Sequence, residues 1–516
     1  MQTHSMIQKF QRPMRLSLIA LASVAAVGCA SVQPVAMVPQ DMSAQIQKDH
    51  ELIRKDVAPV TGPLTLDEAM ARALKYNLDR RARMMEEALA MGQLDVSKFD
   101  MLPKLMAQAG YSSRDRARFT FSSKYPFDDP SSSDPLDSST TSDRTHSTYD
   151  LGLTWSLLDV GLGYYGAKQQ ADRFLIAGEK RRKAMHLLMQ DVRTAYWRAA
   201  SAQLLKADVQ KTIALAEEAM ADSRKASGER VRNPLEPLRY QRQLLENLRL
   251  LENINQELSS AQVDLAALIN APVGQVIQIA TTELKNIDDE MTKVAVDKLE
   301  EVALQNNPDL REQHYNGRVA REETRRTLLR MFPNVTFNYG GKYDTDRYLL
   351  SNSWNEAGVQ LSFNLMNIFT AGTQMKLADA GVALADQRRM ATQAAVLTQV
   401  HLSRLQVINA RSQFDRADAI YDTDSKIAQV MRSRQSVQAQ SKLDVVSTET
   451  ASILSLLRRY QALAQVQVAE NRMLATLGLE PQIGSTHELP LEELIAQITR
   501  SKAPWQQISQ GTKVGK

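Results

Sequence analysis

Few residues of this chain have the types and spacing that catalysis requires. The seven histidines are scattered, and His186 and His401 both fall within long helical stretches. The sequence has no His-Glu-x-x-His spacing and no glycine-rich phosphate loop, which are the motifs of many metalloenzymes and nucleotide-binding enzymes. In a chain that is 24% charged, pairs of Asp or Glu residues are common, so no pair can be singled out as a catalytic acid and base. We therefore expect a protein that is not an enzyme, with no cofactor and no metal site.

The one cysteine, Cys29, stands where a covalent modification is expected. A short basic stretch precedes an apolar run over residues 16–27, and Gly28 follows it. This pattern is typical of a secretory signal peptide and is too short to span a membrane as a helix. Ala26-Val27-Gly28-Cys29 also resembles a bacterial lipobox, so we predict a signal peptide over 1–28 and acylation of Cys29. The alternative is a plain signal peptide that contains a thiol. The residue that follows this cysteine, Ala30, favours a location in the outer membrane.

The composition indicates long helices and gives no support to nucleic-acid binding. The chain has 21 glycines, 17 prolines and 6% aromatic residues in 516, which are low values for a globular protein. Its net charge is +4, and no basic stripe with interleaved aromatic residues is present.

The positions of all candidate residues are set by a duplication that runs through the chain. Asn77-Leu78-Asp79 returns as Asn307-Pro308-Asp309 at a shift of 230, and residues 153–159 return as 361–367 at a shift of 208. The difference is one 22-residue insert in the first copy. A repeat of this length is a complete supersecondary module, which is much longer than a solenoid turn.

Each copy contains two segments with strand periodicity. Apolar and polar residues alternate over 149–157 and 359–365, and more weakly after Pro103 and Pro333. Alternation over about ten residues fits a strand with one apolar face, either in an outer-membrane barrel or half-buried in a soluble sandwich. Ser, Asp, Thr and Pro crowd the segment 112–148, which predicts a long exposed loop. Four strands cannot close a transmembrane barrel, so several chains would have to share one.

Long helices follow the strands in both copies. Residues 382–476 contain no Gly and no Pro, and at about 1.5 Å per residue a 60-residue helix is roughly 90 Å long. Leu244, Leu251, Leu258 and Leu265 have heptad spacing, which predicts a coiled-coil seam, although a soluble helical bundle would show the same pattern. Gly and Pro over 228–237 predict a turn in the first copy.

This duplicated order of strand pair and helical hairpin resembles the TolC-like outer-membrane efflux protein family over about residues 63–484. The resemblance implies a mainly α fold with a membrane β part: a homotrimer in which three chains form a 12-stranded β-barrel, continued by a periplasmic α-helical barrel. It implies a passive exit duct that docks on a periplasmic adaptor (membrane fusion) protein and an inner-membrane pump. The lipobox places the chain among lipid-anchored members in the outer membrane of a Gram-negative bacterium.

The family's functional residues transfer to the turns between the long helices. Adaptor-contacting hairpin tips are implied at Val231, Arg232, Asn233, Pro234, Ala439, Gln440 and Ser441. A periplasmic pore constriction is implied at Asp444 and its first-copy equivalent Glu236. Ser447 stands where family members often have a second Asp, which argues against a doubled acidic ring. Solvated or helix-capping roles are the alternative for both acids.

The sequence leaves a second function open, a lipid-anchored periplasmic coiled-coil scaffold without channel activity. The cargo and the energy source of the pump also stay open.

These observations also predict a domain order. The predicted segments are a signal peptide (1–28), a lipidated tether (29–62), a first repeat (63–272, strands about 103–112 and 148–158, helices about 163–229 and 236–270), an equatorial linker (273–296), a second repeat (297–481, strands about 333–343 and 356–366, helices about 371–437 and 443–477), and an equatorial segment with a polar tail (482–516).

Overall fold

The computed structural model describes residues 36–122, 137–228, 235–272, 274–275, 277–280, 293–436, 442–480 and 488–501. The chain divides into two compact units, residues 1–57 and 58–516. In the first unit the described residues form helix α1 (Pro39–Arg54), which begins with a proline in its first turn and has no buried residue. Because proline lacks an N–H, it fits the start of a helix and not its interior.

The second unit contains the same order of elements twice, as the duplication predicts. Helices α2 and α6 begin 230 residues apart and strands β4 and β6 begin 208 apart, which are the two shifts found in the sequence. The first copy comprises α2 (Leu66–Tyr76), α3 (Leu78–Phe99), β1 (Lys104–Ser113), β2 (Arg118–Ser122), β3 (Asp137–Ser142), β4 (Thr145–Ser156), α4 (Leu157–Gly228) and α5 (Leu235–Leu268). The second comprises α6 (Val296–Asn306), α7 (Pro308–Leu329), β5 (Asn334–Asp344), β6 (Ser353–Ser362), α8 (Met366–Ser436) and α9 (Lys442–Leu477), with α10 (Leu491–Arg500) after it.

The repeated Asn-x-Asp motif connects the two ends of each copy. Asn77 caps α3 by accepting from the backbone N–H of Arg80 at 3.0 Å, and its Nδ2 donates to the carbonyl of Leu268 at 3.2 Å. Asn307 does the same for α7, with Nδ2 donating to the carbonyl of Thr476 at 2.8 Å. One side chain therefore satisfies an orphan donor at a helix start and an orphan carbonyl at the end of the returning helix.

The strands form an antiparallel four-stranded sheet in the order β1-β4-β5-β6. Strands β2 and β3 pair separately as a hairpin between β1 and β4. The prediction of a long exposed loop over 112–148 is therefore wrong for these residues, because β3 is entirely polar and the alternation of Phe119 and Phe121 with polar residues in β2 covers only five residues. Helices α4 and α8 also begin before the predicted residues 163 and 371.

Helix α4 begins earlier than the sequence predicted because its first turns contain small residues. The hydroxyl of Ser156 accepts from the backbone N–H of Asp159 at 3.0 Å and caps the helix. The following Gly161 and Gly163 are helical, and a Cβ there would lie 3.0 Å from Leu329 and 3.1 Å from the backbone of Asp100. They therefore permit close packing of the start of α4 on the ends of α3 and α7.

The predicted coiled-coil seams are buried. Leu244, Leu251 and Leu265 are fully buried and Leu258 is 3% exposed, and they pack with side chains of α4 and α9. At about 1.5 Å per residue, the 72 residues of α4 extend about 108 Å. None of the helices formed by the described residues is both long enough and apolar enough to span a bilayer.

Candidate functional site

One face of the four-stranded sheet is apolar and exposed. Neighbours across the strands, such as Leu105, Leu153 and Tyr339, share it by register. Leu105, Val359 and Leu361 are each 69% exposed, although burying such a side chain would stabilise the protein by about 1.5–3 kcal/mol. A contiguous apolar face of this size marks a surface that is covered by a partner or by lipid.

Aromatic residues lie at both ends of this apolar face. The rings of Trp155 and Phe337 lie 6.5 Å apart near the starts of the long helices, and those of Tyr149 and Tyr343 lie 6.2 Å apart near the other end. Tyr149 and Trp155 are six positions apart along β4, which is about 20 Å along a strand. Aromatic rows at this spacing flank the apolar band of outer-membrane strands.

The opposite face of the sheet is polar. Gln108, Asp150 and Lys342 are neighbours by register, and Lys342 Nζ contacts Glu356 Oε2 at 2.6 Å. One face is therefore suited to an apolar medium and the other to water. This is the amphipathic pattern of a barrel strand whose inner face lines a polar lumen.

Loops of the two copies are joined at the end of the sheet remote from the helices. Asp143 accepts from the backbone N–H of Arg347 at 2.9 Å and from its guanidinium at 2.7 Å. These hydrogen bonds from Arg347 lower the pKa of Asp143. Asp346 accepts from the backbone N–H of Asp143 at 3.0 Å, and Asp344 contacts His146 Nδ1 at 2.8 Å.

At the other end of the molecule, α4, α5 and α9 meet around Lys442. Its ammonium contacts Glu218 Oε1 at 2.8 Å and Asp222 Oδ2 at 2.7 Å. The hydrogen bond from Lys442 lowers the pKa of Asp222, and the same bond raises the pKa of Lys442. Beneath this ion pair, Leu244 and Val446 are fully buried. Lys442 therefore attaches the start of the second-copy return helix to the first-copy long helix.

The predicted constriction residue Asp444 lies in the first turn of α9 and is half-buried. Acidic residues are favourable in the first turn of a helix. One helical turn later Ser447, which stands at the second acidic position of the family pattern, accepts from Asn247 Nδ2 at 3.2 Å. That site therefore links α5 to α9 through a neutral hydrogen bond.

The other predicted site residues give less structural information. Glu236 is in the first turn of α5, and its side chain lies outside the described part of the chain. Outside the described residues altogether are Cys29 and the predicted hairpin tips, Val231, Arg232, Asn233, Pro234, Ala439, Gln440 and Ser441.

Sequence reasoning missed the acidic partners of Lys442. Glu218 and Asp222 are four residues apart on a helix and therefore share a face, which was the available signal. Their partner lies 220 residues away or more, so the sequence did not indicate it. Within the described ranges no group of three or more His, Cys, Asp or Glu side chains could hold a metal ion.

A duplicated strand pair that continues into helical hairpins of this length is the fold of TolC-like outer-membrane channels. Solved structures confirm this fold. A membrane protein from Pseudomonas aeruginosa matches with a TM-score of 0.58 and 15% identity, covering 90% of this chain and 99% of that one. The CmeC outer membrane channel of Campylobacter jejuni matches with a TM-score of 0.60 and 12% identity, covering 84% and 89%. VceC, an outer membrane protein of Vibrio cholerae, gives 0.56 and 14%, covering 80% and 96%.

A scan of protein-family models and a search of curated proteins give no match to this chain. The resemblance predicted from the sequence is thus confirmed at the level of the fold.

Proposed function

We propose that this protein is the outer-membrane exit duct of a tripartite efflux or type I secretion system. Three copies would close a 12-stranded barrel in the outer membrane, continued by a periplasmic helical barrel. The duct would conduct passively from a periplasmic adaptor protein and an inner-membrane pump to the exterior. Neighbouring structures are described as outer membrane channels, which supports this assignment.

The observation that best supports a ring of copies is a difference between equivalent positions of α4 and α8. In α4, Gln169, Thr212 and Ala219 are 4%, 5% and 1% exposed. The residues 208 positions later in α8 are the apolar Leu377, Ile420 and Ile427, and they are 74%, 49% and 43% exposed. Apolar side chains are therefore exposed where their equivalents are buried, which indicates a missing partner for α8.

The contacts of α4 support another copy of this chain as that partner. Helix α4 packs on α7 and α9, which belong to the second copy. If the same contacts are repeated between chains, α8 packs on α3 and α5 of the next protomer. Helix α3 has exposed apolar residues for this contact, Met85, Leu89, Val96 and Phe99, which are 63–71% exposed.

The sheet has open edges on the same two sides. In the described residues β1 and β6 each pair on one side only, and open edges are not tolerated in lipid. Repeating the β4–β5 pairing between chains would join β6 to β1 of the next protomer. A heterologous contact of this kind closes into a ring when the rotation per copy permits it.

The apolar exposed sheet face favours this channel over the scaffold that the sequence left open. A scaffold with soluble strands would have to leave that face in water. The hairpin tips and the constriction at Asp444 and Glu236 are part of the proposal, and they rest on the family resemblance.

Purification from outer membranes in mild detergent, with native mass and planar-bilayer conductance measured together, tests the duct. We expect a trimer that opens discrete channels. A monomer that is extracted without detergent and conducts no current would overturn the proposal and support the scaffold.

Lipid anchoring at Cys29 requires a separate test. In cells given a labelled fatty acid, we expect the wild-type chain to be labelled and Cys29→Ala to be unlabelled. Labelling that persists in the variant would refute the lipobox without affecting the duct.

A further inference from the structure

Two arginines face each other at the outer end of the first strand pair. The register of β1 and β4 ends with Ser113 opposite Thr145, and the backbone N–H of Arg114 donates to the carbonyl of Arg144 at 2.8 Å. Both arginines are exposed. Like charges directly opposite each other on neighbouring strands are destabilising, so this pair has no evident role in stability.

Neither guanidinium is neutralised by a carboxylate of the described residues. Arg114 Nη1 donates to Ser142 Oγ at 3.1 Å, and Arg144 Nη2 donates to the carbonyl of Asp115 at 2.7 Å. These neutral partners position the two side chains and leave both positive charges in place. The nearby Asp143 is already bound by Arg347 at 2.7 Å.

Strand alternation assigns the pair to the polar face. Arg114 directly follows the last residue of β1 and has the parity of Gln108, and Arg144 directly precedes the first residue of β4 and has the parity of Asp150; Gln108 and Asp150 are opposite each other in the sheet. Side chains of one parity share one face of a strand. In the proposed trimer this face lines the lumen, so the pair lies at the outer mouth.

We propose that Arg114 and Arg144 form a cationic ring that makes the outer mouth selective for anions. This inference rests on the proposed trimeric barrel, in which three chains contribute six guanidinium groups. Twelve strands about 4.8 Å apart and tilted by about 40° give a barrel of about 12 Å backbone radius. The Debye length is about 10 Å at 0.1 M salt, so charges on the inner wall influence ions across most of the lumen.

Ion selectivity of single channels tests the ring. The permeability ratio of chloride to potassium would be taken from reversal potentials in a KCl gradient, for the wild type and for the double variants Arg114→Gln/Arg144→Gln and Arg114→Lys/Arg144→Lys. We expect the ratio to fall by about threefold in the Gln variant, because screened Coulomb attraction is lost. The Lys variant should keep the wild-type ratio, because it keeps the charge.

A second measurement isolates the outer mouth from the periplasmic entrance. Inorganic tripolyphosphate added on the outer side should block the wild type and the Lys variant at lower concentration than the Gln variant. Equal ratios and equal block in all three proteins would overturn the inference.

The failures of the two proposals are distinguishable. Absence of channels in the wild type would count against the duct itself. Channels of normal conductance whose ion selectivity is unchanged by substitution of residues 114 and 144 would count against the ring alone.

Discussion

Helices α4 and α8 are equivalent parts of the two copies, with 72 and 71 residues, but their surroundings differ. Residues of α4 such as Leu205 and Val209 are at most 1% exposed, because α3, α5, α7 and α9 pack around it. Helix α8 packs on α6, α7 and α9 and keeps a row of exposed apolar residues. An internal duplication thus places one copy of a helix inside the subunit and the other at its edge.

The contacts that hold the two helices also differ in chemistry. Helix α4 binds Lys442 through Glu218 and Asp222. At the equivalent positions α8 has Lys426 and Val430, and Lys426 pairs with Asp422 on its own helix at 2.6 Å. The joint within the chain is therefore reinforced by an ion pair, whereas the joint between chains is expected to be mainly apolar.

The largest expected effect is loss of the trimer when the exposed row on α8 becomes charged. We expect Ile420→Asp/Ile427→Asp to give a folded monomer, because an unpaired carboxylate cannot be buried in an apolar contact without a large cost. Native mass would give the assembly state and circular dichroism the helix content. Gln429→Asp adds a charge to an exposed position on another side of α8, and it should remain trimeric.

The equivalent substitution in α4 should lower the stability of the folded subunit. Ala219, the equivalent of Ile427, is 1% exposed, so Ala219→Asp should lower the free energy of unfolding by about 3 kcal/mol or more. If Ala219→Asp affected only assembly, or the α8 variant unfolded the chain, the distinction between inside and edge would be wrong.

The pairing of the open strand edges is the next test. Moving the β4–β5 register by the two repeat shifts places Leu361 opposite Ala109 of the next protomer. We expect Leu361→Cys/Ala109→Cys to be joined into dimers and trimers by a short bifunctional thiol reagent, because opposed residues have Cβ atoms about 4.5–5.5 Å apart. Leu361→Cys/Gln108→Cys, with thiols on opposite faces, is the matched control. Equal cross-linking of both pairs would exclude this register.

A smaller effect is expected at the proposed periplasmic constriction, to which each copy would contribute one acidic residue. If Asp444 lines the narrowest point, Asp444→Ala should raise single-channel conductance by roughly twofold. Glu236→Ala, the first-copy equivalent, should have a weaker effect. Unchanged conductance in the Asp444 variant would refute the gate assignment and leave the channel intact.

The smallest effect concerns the Lys442 ion pair and its dependence on pH. Because the pKa of Asp222 is lowered in the folded protein, its contribution to stability is present above the unfolded value of about 3.9 and is lost as the pH falls through the folded pKa. The raised pKa of Lys442 keeps its contribution until the pH rises above about 10.4. Between these limits the contribution of this ion pair to the free energy of unfolding should be constant.

Hydrogen exchange at the start of α9 measures this contribution. Lys442→Gln should speed exchange there at pH 7, and the difference from the wild type should be smaller at pH 3 because the contribution of Asp222 decreases below its unfolded pKa. A difference of the same size at both pH values would show that packing of the lysine stem, and not its charge, holds the helix.

The sequence predicted the positions of the helices and strands better than it predicted the contacts between them. The seam leucines of α5 were identified because heptad spacing is a local property of the chain, and all four are buried. The strands were identified from alternation, but the β2–β3 hairpin was missed because its residues are mostly polar. The partners of Lys442 and the hydrogen bond of Asn247 to Ser447 could not be predicted, since each joins helices about 200 residues apart or more.

The sequence by itself determined the duplicated order of helix, strand and helical hairpin, because hydrophobic period and capping residues act over short distances. Only the tertiary structure decided which copy lies inside. The exposed Leu377, Ile420 and Ile427 of α8 have the same periodicity as core residues, and a periodic pattern does not identify what covers it. Burial depends on which surfaces meet after folding, and in the proposed trimer the surface that covers α8 belongs to the next copy.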